Sequence, residues 1–177
     1  MRVVVLADTH IRRGARRRLP DVVYDELVMA DAVLHAGDVM APELLDELAG
    51  FAPVHAVLGN NDHELVGRLP ERALVELGGV SVGMVHDSGP RSGRGRRLAQ
   101  CFPTAGVVVF GHSHIPCDEL AASGQLLFNP GSPTERRAQP SHTYGILDLS
   151  DGRVLRHRVL TVEAATSAAT ALASPEL

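Results

Sequence analysis

Short apolar runs punctuate this chain, and polar or glycine-rich segments bound each of them. Runs of strand length cover residues 3–7, 32–35, 54–58, 80–85, 107–110 and 126–128. A further pair, residues 144–149 and 154–160, flanks Asp151-Gly152 in the pattern of a hairpin. Helix signals lie between the early runs. Pro20 suits the first turn of a helix over 21–29, with Val23, Leu27 and Val28 on one side. Pro42 opens a second helix over 43–49, which Gly50 closes, and Pro103 ends a third over 96–102. Strands alternating with helices predict an α/β layered domain, yet the runs at 73–77 and 80–85 around Gly78-Gly79 predict an antiparallel hairpin. A mixed sheet, or two sheets packed together, satisfies both. Residues 164–173 are almost wholly Ala, Thr and Ser, so the expected division is a domain over 1–162 and a mobile tail over 163–177.

The polar residues at the end of each apolar run carry the chemistry. The first run leads into Asp8-Thr9-His10, the second into Ala36-Gly37-Asp38 and the third into Gly59-Asn60-Asn61-Asp62. The fourth leads into His86-Asp87 and the fifth into Gly111-His112-Ser113-His114. Ligands in open α/β sheets collect at the carboxyl ends of strands, so these five ends are expected to converge. Asp8 and His10, like His112 and His114, stand two residues apart and can point the same way from extended backbone. Asp8, His10, Asp38, Asn60, His86, His112 and His114 exceed the four ligands of a single tetrahedral ion. They suit two ions sharing a carboxylate. Mixed imidazole and carboxylate donors favour Mn, Fe, Zn, Ni or Co over Mg or Ca, and two such ions can activate a water for attack on phosphorus.

Composition narrows the setting. A chain of 177 residues, 45% hydrophobic and 21% charged, is one ordinary domain with a core. No apolar run approaches the ~20 residues of a membrane span, and the apolar start is too short for a secretory leader. Two cysteines, Cys101 and Cys117, are too few for a disulfide scaffold and fit a cytoplasmic location. The net charge of −4 and the scarcity of aromatic residues argue against nucleic acid as a partner. All 17 basic side chains counted as Lys or Arg are Arg. Those at 12, 13, 16, 17 and 18 come after His10, and those at 91, 94, 96 and 97 come after His86. Both groups leave ligand-bearing strand ends, and both are candidates for the rim of a phosphate-binding cleft.

Asp-x-His, Gly-Asp, Gly-Asn-x-Asp, a His after a strand and Gly-His-Ser-His, in that order, resemble the calcineurin-like metallophosphoesterase superfamily, and most of all its small single-domain phosphodiesterase branch. Asn129-Pro130-Gly131-Ser132 resembles that branch's late turn, so the likeness spans about residues 1–160. It implies a four-layer α/β/β/α sandwich of two mixed sheets flanked by helices. It also implies one ion held by Asp8, His10, Asp38 and His114, and a second held by Asp38, Asn60, His86 and His112, with Asp38 bridging. Asp38, Asn60 and Asp62 form the expected catalytic set, and Asn61, Ser132 and Arg137 the expected substrate contacts, with Arg136 as the alternative to Arg137. The implied cofactors are two divalent ions, manganese first. The implied reaction is hydrolysis of a small phosphate ester, a nucleotide included, by a hydroxide bridging the metals. A homodimer is compatible with so small a domain. The competing reading is a weak or inactive phosphoesterase fold that serves as a protein-interaction scaffold.

Two positions depart from the family pattern. Many members carry His directly after the motif's Asn as acid for the leaving oxygen. Here Asn61 stands there, and an amide cannot supply that proton; His63 would project differently. Where relatives place Gly directly after the ligand His, this chain has Asp87, which tolerates left-handed backbone. The remaining histidines, His35, His55, His142 and His157, lie in apolar or hairpin runs and are expected to be structural. Cys101 is expected in the core and Cys117 in a structural or loop position.

Overall fold

The computed structural model describes residues 1–163, so all of the expected tail but Glu163 lies outside the described residues. Among the described residues, ten strands form two five-stranded sheets. The first contains β1 (Arg2–Leu6), β2 (Ala32–His35), β3 (Val54–Ala56), β9 (Thr143–Ser150) and β10 (Arg153–Thr161) in the order β10-β9-β1-β2-β3. The second contains β4 (Arg72–Leu77), β5 (Val80–Val85), β6 (Val107–Val109), β7 (Cys117–Leu120) and β8 (Leu126–Asn129) in the order β4-β5-β6-β8-β7. Both sheets are mixed: β1, β2 and β3 run parallel while β9 and β10 pair antiparallel, and β5, β6 and β8 run parallel between antiparallel edges β4 and β7.

Strand alternation divides the side chains between layers. Val3, Val5 and Ala7 face the second sheet, where they meet Val82, Met84, Val107, Val109 and Phe128 in one apolar cluster. Val4 and Leu6 face the other way, against α1 (Asp21–Val28) and α2 (Pro42–Ala49), whose Val23, Leu27, Leu44 and Leu48 close the outer layer. On the far side, Val108, Phe110 and Leu127 receive Leu98 and Phe102 from α3 (Arg94–Cys101) and the residue after it. The result is helix, sheet, sheet, helix. Strands this thoroughly covered on both faces read as continuous apolar runs, which is why their sequences are conspicuous.

Several local expectations shift. The third helix begins two residues earlier than expected, at Arg94, after Gly93 at φ 71°. Val28 does not join Val23 and Leu27 against the sheet but is exposed. Cys101 is also exposed rather than in the core, because it ends α3 on the helix's outer side, while Cys117 is buried at the start of β7 with its thiol directed at Leu127 O. Strand β7 carries mostly polar residues, Cys-Asp-Glu-Leu, and has no apolar signal because three of its four positions are exposed at a sheet edge. Among the described residues no helix is long and apolar enough to cross a membrane.

Candidate metal centre

The parallel strands β1, β2, β5 and β6 all end at one edge of the sandwich, and β3 contributes the Gly59 loop there. Their trailing residues do not continue as strand. Asp8, His10, Asp38, His112 and His114 all adopt positive φ, between 46° and 66°, which turns each side chain back over the sheet edge. Left-handed backbone is costly for a residue with a Cβ and persists only where surrounding contacts impose it. The tight fit beneath them explains the glycine pattern. A Cβ on Gly59 would lie 2.1 Å from Asp38 N, and one on Gly37, itself at φ 88°, would lie 2.6 Å from His86 Nδ1. Neither position has space for a side chain.

All seven expected ligands come together, in two halves. In the first, His10 Nε2 lies 3.2 Å from His114 Nε2, and His114 Nε2 lies 3.5 Å from Asp8 Oδ1. In the second, Asn60 Oδ1 lies 3.0 Å from His86 Nε2 and 2.9 Å from His112 Nδ1. Asp38 Oδ2 stands between the halves, 3.6 Å from His10 Nε2 and 3.5 Å from His86 Nε2. Asp8 is also shared, since its carboxylate lies within 4.8 Å of the ligand atoms of His10 and His114 and of those of Asp38 and His86.

The residues fit divalent ions on several independent grounds. Donors bound ~2.1 Å from one tetrahedral ion stand about 3.4 Å apart, close to the spacings here. Asp8 Oδ2 is buried without a hydrogen-bond partner, which a cation would satisfy. His86 Nδ1 donates to Ala36 O at 2.8 Å and His114 Nδ1 donates to Glu135 O, so in both rings the Nε2 lone pair faces the cluster. Without metal the charges are poorly balanced. Burial, reinforced by the Asp38 charge, pushes the Asp8 carboxyl up to about 8. Burial pushes His10 and His114 down from the usual histidine range, which keeps both rings neutral and fit to ligate. Burial also opposes ionisation of Asp38, but hydrogen bonds from the Asn61 backbone and side chain, with His86 and His10, outweigh it and hold the carboxyl low.

Other expected site residues take different places. Asp62 directs both carboxylate oxygens to backbone N–H groups, accepting from Asp38 at 2.9 Å, Gly59 at 2.7 Å and Met40 at 2.7 Å. It clamps two ligand loops together and does not face the cleft, so it is a positioning residue. Asn61 donates Nδ2 to Asp38 Oδ2 at 2.7 Å while also bordering the open cleft. Ser132, expected to contact substrate, is 1% exposed and donates to Asp8 O at 2.7 Å, so the late turn instead ties down the loop after β1. Asn129 completes that tie by donating to Gly111 O at 3.0 Å. Arg137, at φ 50°, lies beside the cluster and donates to His112 O at 3.2 Å, whereas Arg136 turns away to Gln139 O. Asp87 stays out of the left-handed region; its carboxylate accepts from Gly89 N at 2.7 Å, and Gly89 takes φ 71°.

The two arginine groups part company. Arg12 and Arg17 join Arg137 in a cleft of about 480 Å³ beside His10 and Asn61. Arg13 and Arg18 pair outside it with Glu43 and Asp21. Arg91, Arg94 and Arg96 line a separate groove with Glu119 and Leu127, and Arg97 binds the carbonyls of Ser88, Pro90 and Ser92, so this group does not rim the metal cleft. One histidine expected to be merely structural supports the site. His35 is fully buried with Nε2 3.1 Å from Thr9 Oγ1, which in turn donates to Asp38 O at 3.4 Å. Burial lowers its pKa to about 3, so it stays neutral. Glu135 is a further contributor that motif spacing misses: its carbonyl orients His114 and its carboxylate holds Arg17 at 2.9 Å. These partners lie 21 and 118 residues away in sequence, and no local spacing could reveal them.

Against known proteins, the model of the calcineurin-like phosphoesterase superfamily domain matches residues 1–152. The chain belongs to this family. It is 36% identical over 144 residues to the probable metallophosphoesterase MJ0623 of Methanocaldococcus jannaschii, covering 77% of this chain and 70% of that one. Among solved structures it resembles vacuolar protein sorting 29 of Cryptosporidium parvum, with a TM-score of 0.72 at 21% identity over 90% of this chain and 97% of the other. It also resembles a novel archaeal phosphodiesterase, with a TM-score of 0.67 at 22% identity over 90% and 100% of the two chains. The two structural likenesses establish the fold alone. As a calcineurin-like phosphoesterase, the chain carries two clusters of His and Asp arranged as metal ligands.

Proposed function

We propose that this protein is a divalent-metal-dependent phosphodiesterase acting on small phosphate esters, with two ions of which manganese is the first choice, and that it works in the cytoplasm. The observation carrying this reading is the completeness of the donor set. Each of the seven positions holds a competent ligand, the carbonyl-held His86 and His114 aim their free nitrogens inward, and Asp38 stands between the two halves. Bound ions supply a water of lowered pKa and positive charge for the phosphoryl oxygens. The chain's own residues do the rest. Arg137 and Arg12 line the approach and hold the anionic ester, Asp62 and Ser132 fix the ligand loops, and Asn61 steadies Asp38 from the cleft side. The two free thiols agree with a reducing compartment.

A second reading, a weak or inactive phosphoesterase fold serving as a protein-interaction scaffold, is favoured by the likeness to vacuolar protein sorting 29, a protein named for sorting and not for hydrolysis. Asn61 in place of an acid points the same way. Metal content per chain and hydrolysis of bis(p-nitrophenyl) phosphate with Mn²⁺ separate the two. Bound metal with turnover that Asp38→Ala abolishes supports the phosphodiesterase. Metal-loaded protein that turns over neither phosphomonoesters nor phosphodiesters belongs to the scaffold reading.

A further inference from the structure

Each sheet ends in two edge strands, and the edges are protected to different degrees. An uncovered edge presents unpaired N–H and C=O groups and invites a further strand. The first sheet's β3 offers only the short stretch Val54–Ala56. In the second sheet β7 carries Asp118 and Glu119 in adjacent positions, and Asp118 is already held by His157 of β10 at 2.6 Å. β10 breaks register between Val154 and Arg156 and bears Arg153, Arg156 and Arg158, so a second copy laid against it would meet like charge. β4 has none of these safeguards. Its six residues, Arg72–Leu77, pair with β5 in unbroken register and include no proline. Among the described residues no strand lies on its other side.

Alternation fixes what β4 shows. Ala73, Val75 and Leu77 turn toward the apolar cluster between the sheets, while Arg72, Leu74 and Glu76 are exposed, Leu74 by 53%. The backbone alternates as well. Gly78 and Gly79, at φ 56° and 79°, form a two-residue hairpin turn, so the flanking Leu77 and Val80 make a hydrogen-bonded pair. Counting back by twos, Val75 and Ala73 bond to β5 in the same way. The N–H and C=O groups of Arg72, Leu74 and Glu76 therefore point to the free side. Among the described residues, neither Arg72 nor Glu76 has an ion-pair partner.

From these we infer that β4 is a docking edge for a second copy of this chain, paired antiparallel about a two-fold axis at Leu74. In this register Leu74 meets its counterpart, and Arg72 of each copy stands opposite Glu76 of the other. All of these residues have outward-pointing backbone groups, so each pair exchanges two N–H···O bonds while the flanking charges attract. A slip of two residues sets Leu74 against Arg72 or Glu76 and leaves a charge unmatched; a slip of one sets outward groups against inward ones. Each charge pair occurs twice, as a symmetric interface requires. Arg72 pairs with Val85, next to His86, so β4 starts at the ligand edge. Because the paired strands run in opposite directions, the two metal-ligand edges lie at opposite ends of the dimer and strand pairing covers neither. Association of this kind holds whether or not the site hydrolyses phosphate esters.

Sedimentation velocity on the full chain tests the dimer. A strand edge of this length buries less than the roughly 1,200 Å² of a standard interface, so association is expected to be weak and to develop across about 10–500 µM chain. Arg72→Glu and Glu76→Arg each set like charges opposite one another, twice by symmetry, and each is expected to raise the dissociation constant about tenfold. An equimolar mixture of these two variants is expected to regain the parent's association, because every cross-strand pair is again of opposite sign. Leu74→Pro removes the central outward N–H without touching the ladder to β5, and is expected to be monomeric. Far-ultraviolet circular dichroism and metal content of the variants should match the parent; if Leu74→Pro fails to fold, the exposed charge pair carries the test. In a second readout, exchange of the Leu74 and Glu76 amide hydrogens should slow as the parent's concentration rises. A parent that stays monomeric throughout that range overturns the inference. So does a dimer that survives both charge reversals, or a mixture of the two variants that associates no better than either alone.

Discussion

The interface between the two sheets and the carboxyl edge of the same strands obey opposite rules. At the interface Val3, Val5, Leu34, Val82 and Val107 are fully buried and wholly apolar. At the ends of β1, β2 and β6 the pattern inverts. Asp8, Asp38, His35 and His114 are as thoroughly buried as the valines, yet they are polar, and most of them stand on left-handed backbone. Hydrophobic burial of the first region stabilises the chain by roughly 25 cal/mol per Å² of apolar surface. The second region gives up some of that stability to hold ionisable groups and strained turns where a cation can use them. The fold is thus maintained by one end of each strand and put to use at the other.

Substitutions at the two regions should therefore differ in kind. The largest effect is expected for Asp38→Ala, which removes the group between the two halves: metal content should fall by at least one ion per chain and turnover should vanish, while far-ultraviolet circular dichroism stays native. Retained two-ion stoichiometry would break the contrast. Leu34→Ala should do the reverse, costing about 2–5 kcal/mol in denaturant unfolding while the surviving folded protein keeps its metal. Gly59→Ala tests the boundary, because its Cβ would collide with Asp38 N; it should lose stability of about 1–3 kcal/mol or more and metal together.

Asp8→Asn should have the opposite sign from Leu34→Ala. With its folded pKa near 8 against 3.8, Asp8 destabilises the metal-free protein as pH rises from about 4 to 8. The variant's melting temperature without metal should exceed the parent's by roughly 10 °C or more at pH 8, with the gap closing below pH 4, even as metal binding weakens. His35 works in the other direction. Its folded pKa near 3 lies below the usual 6.5, so its contribution to stability is full above pH 6.5 and is lost as pH falls toward 3. His35→Gln should flatten that part of the melting profile. The smallest effect is expected for Arg91→Ala, whose exposed pair with Glu119 should contribute no more than about 1 kcal/mol and leave metal content unchanged.

The candidate metal ligands are legible in the sequence because they follow runs of strand-forming residues. Position along the strand alone places Asp8, His10, Asp38, His86, His112 and His114 at one edge once the strands are parallel. The arginines show where that logic stops. The groups after His10 and after His86 look alike in sequence, yet Arg12 and Arg17 fold over the ligands while Arg91, Arg94 and Arg96 open onto another face. Their loops choose partners through distant carboxylates, Glu135 for Arg17 and Glu119 for Arg91. The late turn is a similar case. Its residues are conspicuous, but that Ser132 serves Asp8 O across 124 positions is a matter of packing.

Alternation and length of the apolar runs, with glycine before three of the polar ends, suffice to specify the α/β class, most strand identities and the pool of candidate ligands, because those depend on periodicity and local backbone freedom; the four layers are implied only by the family resemblance. Three outcomes instead emerge only from packing: Asp62 is committed to backbone donors, His35 supports the loops from below, and some arginines but not others reach the cleft. Each of those outcomes turns on contacts between segments brought together only when the two sheets close, and no pattern within a single segment encodes them.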